Sequence, residues 1–218
     1  MVSKNKNIQG EKFAEYAMTL KNAETQSDIS PLMAERGYNT DAFAEGNALL
    51  QDAVEKEEDY MAKSILAKNS SKDSIEKRAQ YRSIYMSHRK LAKVIYRDDG
   101  EATETLGLKG VTPVKFSAWY AMATQFYKTV NTNTTIKTKF MSRVPQSEVD
   151  DILSLGEAVK TADALRFKHK GEVEDATERK NMAANKITKW MKEFYLVAKM
   201  ALKDRPQLLE ALKIVVKS

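Results

Sequence analysis

Apolar side chains recur three and four positions apart along most of the chain, the period of helices that bury one face. Phe13, Tyr16, Ala17 and Leu20 mark a first helix over roughly 10–26, and Phe116, Trp119, Tyr120, Ala123, Phe126, Tyr127 and Val130 mark another. Ser30-Pro31 predicts the start of a short helix that Gly37 stops. Thr40 and Ser147 read as N-caps of longer amphipathic runs. Each is followed by an acid, Asp41 or Glu148, suited to the positive end of a helix dipole. The polar stretches KNSSKDS (68–74) and KHKGE (168–172) predict breaks before a third helix in each half. Asp98 and Asp204 predict caps of a short fourth one.

The pattern repeats. AKVIYRDDGEATETLGL (92–108) lies over AKMALKDRPQLLEALKI (198–214) at a shift of 106, with five of seventeen positions identical. ISPLMAERGYNT (29–40) lies over IKTKFMSRVPQS (136–147) at 107, and FAEYAM (13–18) resembles FSAWYAM (116–122). A near-constant shift across three separate blocks points to an internal duplication. The expected fold is all-α: two tandem helical-bundle repeats, about four helices each with the fourth short, packed about a pseudo-twofold. The first spans 1–110 and the second 111–218, with one shared core or two. KGVTPV (109–114) is the seam, where Gly110 ends one helix and Thr112-Pro113 open the next.

The repeat isolates an asymmetry. In the second copy the third helix carries an apolar stripe of Ile187, Trp190, Met191, Phe194, Val197, Ala198, Ala201 and Leu202. Shifted back by 106, it becomes Tyr81, Ile84, Tyr85, His88, Leu91, Ala92, Ile95 and Tyr96, so His88 stands where the other copy has Phe194. An imidazole and three phenols on a core face must find hydrogen-bond partners. Two readings follow. His88 is a neutral core histidine bonded to a tyrosine, a backbone carbonyl or an acid of another helix; or Tyr81, Tyr85, His88 and Tyr96, with Tyr16, line a polar ligand pocket.

Composition and charge narrow the function. Eight Gly and four Pro in 218 residues are too few turn formers for an all-β chain. Zero cysteines exclude disulfides, thiolate zinc sites and Cys nucleophiles. No apolar leader or membrane-length run is evident, which predicts a cytoplasmic protein without a membrane partner. Residues 1–110 hold 17 Lys and Arg against 18 Asp and Glu, whereas 111–218 hold 19 against 12. The net charge of +6 therefore belongs to the second half. Lys186, Lys189, Lys192, Lys199 and Lys203 form its basic helix face, and Arg78, Arg82, Arg89, Lys93 and Arg97 mark a similar face in the first half.

The chemistry that would mark an enzyme is missing. Tyr85 and Arg166 stand three residues before the two histidines, so no Glu-x-x-His di-metal motif exists. His169, among lysines, reads as solvated, and so does the acidic run EKEEDY (55–60). Gly-rich phosphate loops, His-Glu-x-x-His and G-x-S-x-G are absent, so no cofactor or metal is expected and the chain points away from a conventional enzyme. The expected function is a non-catalytic helical module that binds a protein partner or assembles with itself. The alternatives are a small-ligand sensor around His88 and nucleic-acid association through the basic second half.

Overall fold

The structure, a computed structural model, describes residues 8–215. Among them every regular element is helical: α1 (Ile8–Thr25), α2 (Ser30–Ala34), α3 (Thr40–Ile95), α4 (Gly100–Thr105), α5 (Phe116–Thr132), α6 (Thr134–Met141), α7 (Gln146–Ala201) and α8 (Leu208–Ala211). α3 and α7 are each 56 residues long and begin 106 residues apart, the shift found by self-comparison.

The expected breaks inside these two helices do not occur. KNSSKDS and KHKGE are both fully helical. Asn and Ser each cost a helix only a few tenths of a kcal/mol, about 0.7 at most, and Gly171 about 1, while neither stretch holds a proline. The Ser70 hydroxyl donates to the Ala67 carbonyl (3.1 Å), and Lys72 pairs with Glu76 one turn on (3.8 Å), so the polar residues are used within the helix.

Several caps shift by one residue from their expected places. Asn39, not Thr40, caps α3 by accepting from the Ala42 N–H (3.1 Å). Asp99, not Asp98, caps α4 through the Ala102 N–H (2.9 Å), whereas α8 has no side-chain cap and Asp204 plays none. Ser147 lies inside α7. Gly37, with φ of 89°, ends α2 as expected, and the Tyr38 N–H returns to the Met33 carbonyl.

The chain folds into two compact units, and their limits differ from the 110/111 seam. Unit 1 comprises residues 1–65 and 171–218, and unit 2 residues 66–170. Because α3 and α7 do not break, each serves both units: unit 1 takes the first part of α3 and the last part of α7, and unit 2 takes the remainder.

Unit 1 buries Phe13, Tyr16 and Leu20 of α1, Met33 of α2 and Phe43 of α3 against Ile187, Met191 and Phe194 of α7 and Leu202 just after it. Trp190 stacks on Phe194 (5.6 Å between centroids, 12° between planes), with Tyr38 set edge-on to both rings. The Asn22 side chain donates to the Ala211 carbonyl (2.8 Å), tying the end of the chain to α1.

Unit 2 has its own core. Tyr81, Tyr85 and Ala92 of α3, and Tyr96 just after it, pack with Trp119, Phe126 and Tyr127 of α5, Phe140 of α6, and Ile152 and Val159 of α7. The Arg78 guanidinium pairs with Asp163 and lies 3.6 Å from the Phe116 ring centroid.

Candidate functional site

Four of the five expected pocket residues do converge. Tyr81, Tyr85 and His88 stand on the buried face of α3 in unit 2 and Tyr96 in the turn that follows it, each 4% exposed or less. Tyr16 does not join them: it sits in the core of unit 1 against Tyr195 (6.5 Å between centroids). Helical spacing alone could not assign it to a core.

The environment of His88 is fully bonded. Its Nε2 lies 2.8 Å from Glu148 Oε1 and its Nδ1 2.8 Å from the Tyr127 hydroxyl. An ionised carboxylate only accepts, so Nε2 carries the proton; Nδ1 then accepts from the Tyr127 O–H. A neutral imidazole satisfies both partners. Tyr127 of α5 and Glu148 of α7 were missed as partners because a helical period gives each buried face without saying which helices touch. The other phenols are less uniform. Tyr96 donates to the Ile136 carbonyl (2.7 Å), Tyr81 packs on Tyr120 (5.6 Å) beside Gly156, and the buried Tyr85 hydroxyl makes no hydrogen bond.

Acid, imidazole and hydroxyl in sequence have the order of a nucleophile relay, but the environment opposes that use. Tyr127 is wholly buried, and burial raises the pKa of its hydroxyl, whereas a nucleophile needs access and a lowered pKa. Burial likewise pushes the hydroxyls of Tyr81 and Tyr96 up to about 12. Among the described residues no group of three or more His, Asp or Glu side chains could hold a metal ion. His169 is not solvated at a helix end as expected: it lies inside α7, half-buried, with an unpartnered Nδ1.

The concave surfaces lie elsewhere. In unit 1 a largely apolar groove of about 510 Å³ runs between α1 and α3, lined by Gly10, Ala14, Ala17, Val54 and Met61, with Glu57 and Glu58. Glu57 corrects the solvated reading of EKEEDY: it is buried, with Lys180 at 3.4 Å, and that lysine lies 3.8 Å from the Tyr60 ring centroid. Glu55 and Glu58 of the same run are exposed. Residues 40–65 of α3 hold seven acids (Asp41, Glu45, Asp52, Glu55, Glu57, Glu58, Asp59) against Lys56 and Lys63, a balance of −5.

The opposite sign appears on α7 of the same unit. Lys186, Lys189, Lys192, Lys199 and Lys203 are all exposed, as the helical period implies, and Glu193 is the one acid among 186–203, a balance of +4. Leu196 and Met200 rise from this face at 63% and 54% exposure, one turn apart.

The basic face expected in the first half is largely consumed. Arg78 is paired to Asp163, and Arg82 is half-buried with its guanidinium 5.4 Å from the Trp119 ring centroid. Arg89 is 3% exposed and donates to the carbonyls of Gly107 (2.6 Å), Leu108 (3.2 Å), Lys109 (3.4 Å) and Gly110 (3.2 Å). Lys93 and Arg97 alone of the five are fully exposed.

Among the described residues no helix is long and apolar enough to cross a membrane. No protein-family model, no curated protein and no solved structure matches this chain.

Proposed function

We propose that this chain is a non-catalytic helical module that assembles with itself, the Leu196/Met200 ridge of α7 in one copy seating in the α1/α3 groove of another. One observation carries the reading: unit 1 holds an apolar groove on an acidic helix segment and an exposed apolar ridge on a basic one, of opposite charge. Gly10, Ala14 and Ala17 suit this role because small side chains let a second helix approach closely. Leu196 and Met200 offer the i, i+4 anchors of a helix laid in a groove.

Groove and ridge are different patches, so the contact is heterologous and continues to a ring or a filament. The test uses light scattering behind size-exclusion chromatography. The intact chain runs above its monomer mass of 24.7 kDa, and the excess shrinks as salt screens the charges. L196E/M200E, without a ridge, and A17K, with an obstructed groove, each run as monomers. Mixed in equal amounts they form a dimer, because one supplies the groove and the other the ridge. A monomeric intact chain, or assemblies untouched by both variants, overturns the reading.

A further inference from the structure

Unit 2 carries a surface of its own. From Arg82 onward α3 carries Arg82, Arg89, Lys90 and Lys93, the turn after it adds Arg97, and no carboxylate falls between residues 82 and 97. A depression of about 370 Å³ opens beside this stretch, lined by Arg82, Met86, Lys90, Lys93 and the loop residues Gly110 and Val111, with Arg89 and Thr112. Arg89 spends its guanidinium on the four loop carbonyls of 107–110 and holds that wall in place. Lys90 and Lys93 are exposed and, among the described residues, make no ion pair. Val111 and Val114, at 91% and 85% exposure, extend the apolar character along the loop. Among the described residues the backbone N–H groups of Gly110, Val111 and Thr112 make no hydrogen bond within the protein.

We infer that this surface binds an acidic, amphipathic peptide segment of a partner protein, its carboxylates on Lys90, Lys93 and Arg97 and its apolar side chains on Met86 and Val111. Three features select that occupant. The surface runs from residue 82 to 93 of α3, about 16 Å at 1.5 Å per residue, too long for one small anion and right for a linear one. The depression has apolar contact to offer, which a sugar-phosphate backbone cannot use. The unpaired loop amides face the needs of a peptide, whose carbonyls require donors. A nucleic acid would gain most from stacking platforms, yet the nearest indole, Trp119, is 3% exposed.

Fluorescence anisotropy on the full chain decides the matter with three labelled probes: a peptide of alternating Glu and Val, an all-Glu peptide and a thymidine oligonucleotide. About eight residues suffice for each peptide at about 3.3 Å per extended residue. The Glu/Val peptide binds about tenfold more tightly than all-Glu, the order one buried apolar anchor provides. K90E/K93E weakens it at least tenfold, V111S weakens it without altering all-Glu, and K128E/K160E, an equal charge change at exposed lysines outside the depression, leaves it unchanged; circular dichroism verifies that each variant is folded. The inference is overturned if no peptide binds, if the oligonucleotide binds as well as the Glu/Val peptide, or if K128E/K160E costs as much as K90E/K93E.

Discussion

Gly46 of α3 faces the indole of Trp190 of α7 so closely that a Cβ at residue 46 would lie 2.6 Å from the ring. Glycine normally costs a helix interior about 1 kcal/mol against alanine; here it makes room for the aromatic stack on Phe194. Gly46→Ala therefore lowers stability by about 1–3 kcal/mol, the usual cost of overpacking, despite the better propensity. In a W190L background the same substitution turns neutral or stabilising. Urea unfolding of the two singles and the double measures the coupling.

His88→Phe copies the residue that the repeat places at 194, but it leaves the buried Tyr127 hydroxyl without its acceptor. The expected cost is about 1–3 kcal/mol, and H88F/Y127F recovers most of it because both polar partners are then gone. Glu148→Gln costs less, since that side chain is about half exposed (53%) and water compensates it. Thermal unfolding of the three variants gives the order. An H88F protein as stable as the parent would show that the imidazole pairing contributes nothing.

Stability falls steeply on the alkaline side. Burial raises the pKa of Tyr127 and Tyr85, and brings Tyr81 and Tyr96 to about 12, whereas an unfolded tyrosine ionises near 10. Above that pH the unfolded chain releases protons that the folded chain keeps, so the folded state binds more and each pH step disfavours it. Their contribution is complete below pH 10 and is lost as the pH rises towards 12. Phenolate absorbance should show part of the nine tyrosines ionising gradually and the rest only in the unfolding step.

Arg89→Leu strands four carbonyls of the 107–110 loop that share one buried guanidinium. A loss of about 3 kcal/mol is expected from charged hydrogen bonds of this kind. Arg89→Lys recovers part of it, because an ammonium cannot reproduce the planar fork. Amide exchange should accelerate locally at 107–112 in both variants.

Because each unit draws on both halves of the chain, a cut at the 110/111 seam leaves neither unit complete. Fragments 1–110 and 111–218 should each be poorly folded alone. Produced together, they should copurify with the helicity of the intact chain. Two stable, independent fragments would instead support folding domains at the seam.

Helix content was legible because every amphipathic run keeps the helical period and strong breakers are few. The core stripes of both long helices were legible for the same reason: Ile187, Met191, Phe194 and Leu202, and Tyr81, Tyr85, His88 and Tyr96, are all buried. The continuity of α3 through KNSSKDS was not legible, since local polarity resembles a loop whenever packing to either side is unknown. Tyr16 was misplaced and Arg89 misread as exposed because a helical wheel gives a direction but not the neighbour lying in it.

What the residues alone determined is therefore local and periodic: all-α structure, the buried face of each helix, the 106-residue offset and the exposed lysines of α7. Only tertiary structure decided which halves of the long helices share a core, that Tyr127 and Glu148 complete His88, and that Arg89 fastens a loop. Those relations join residues as distant in sequence as Phe43 and Phe194, and a pattern confined to one helical face carries no information about its partner across the core.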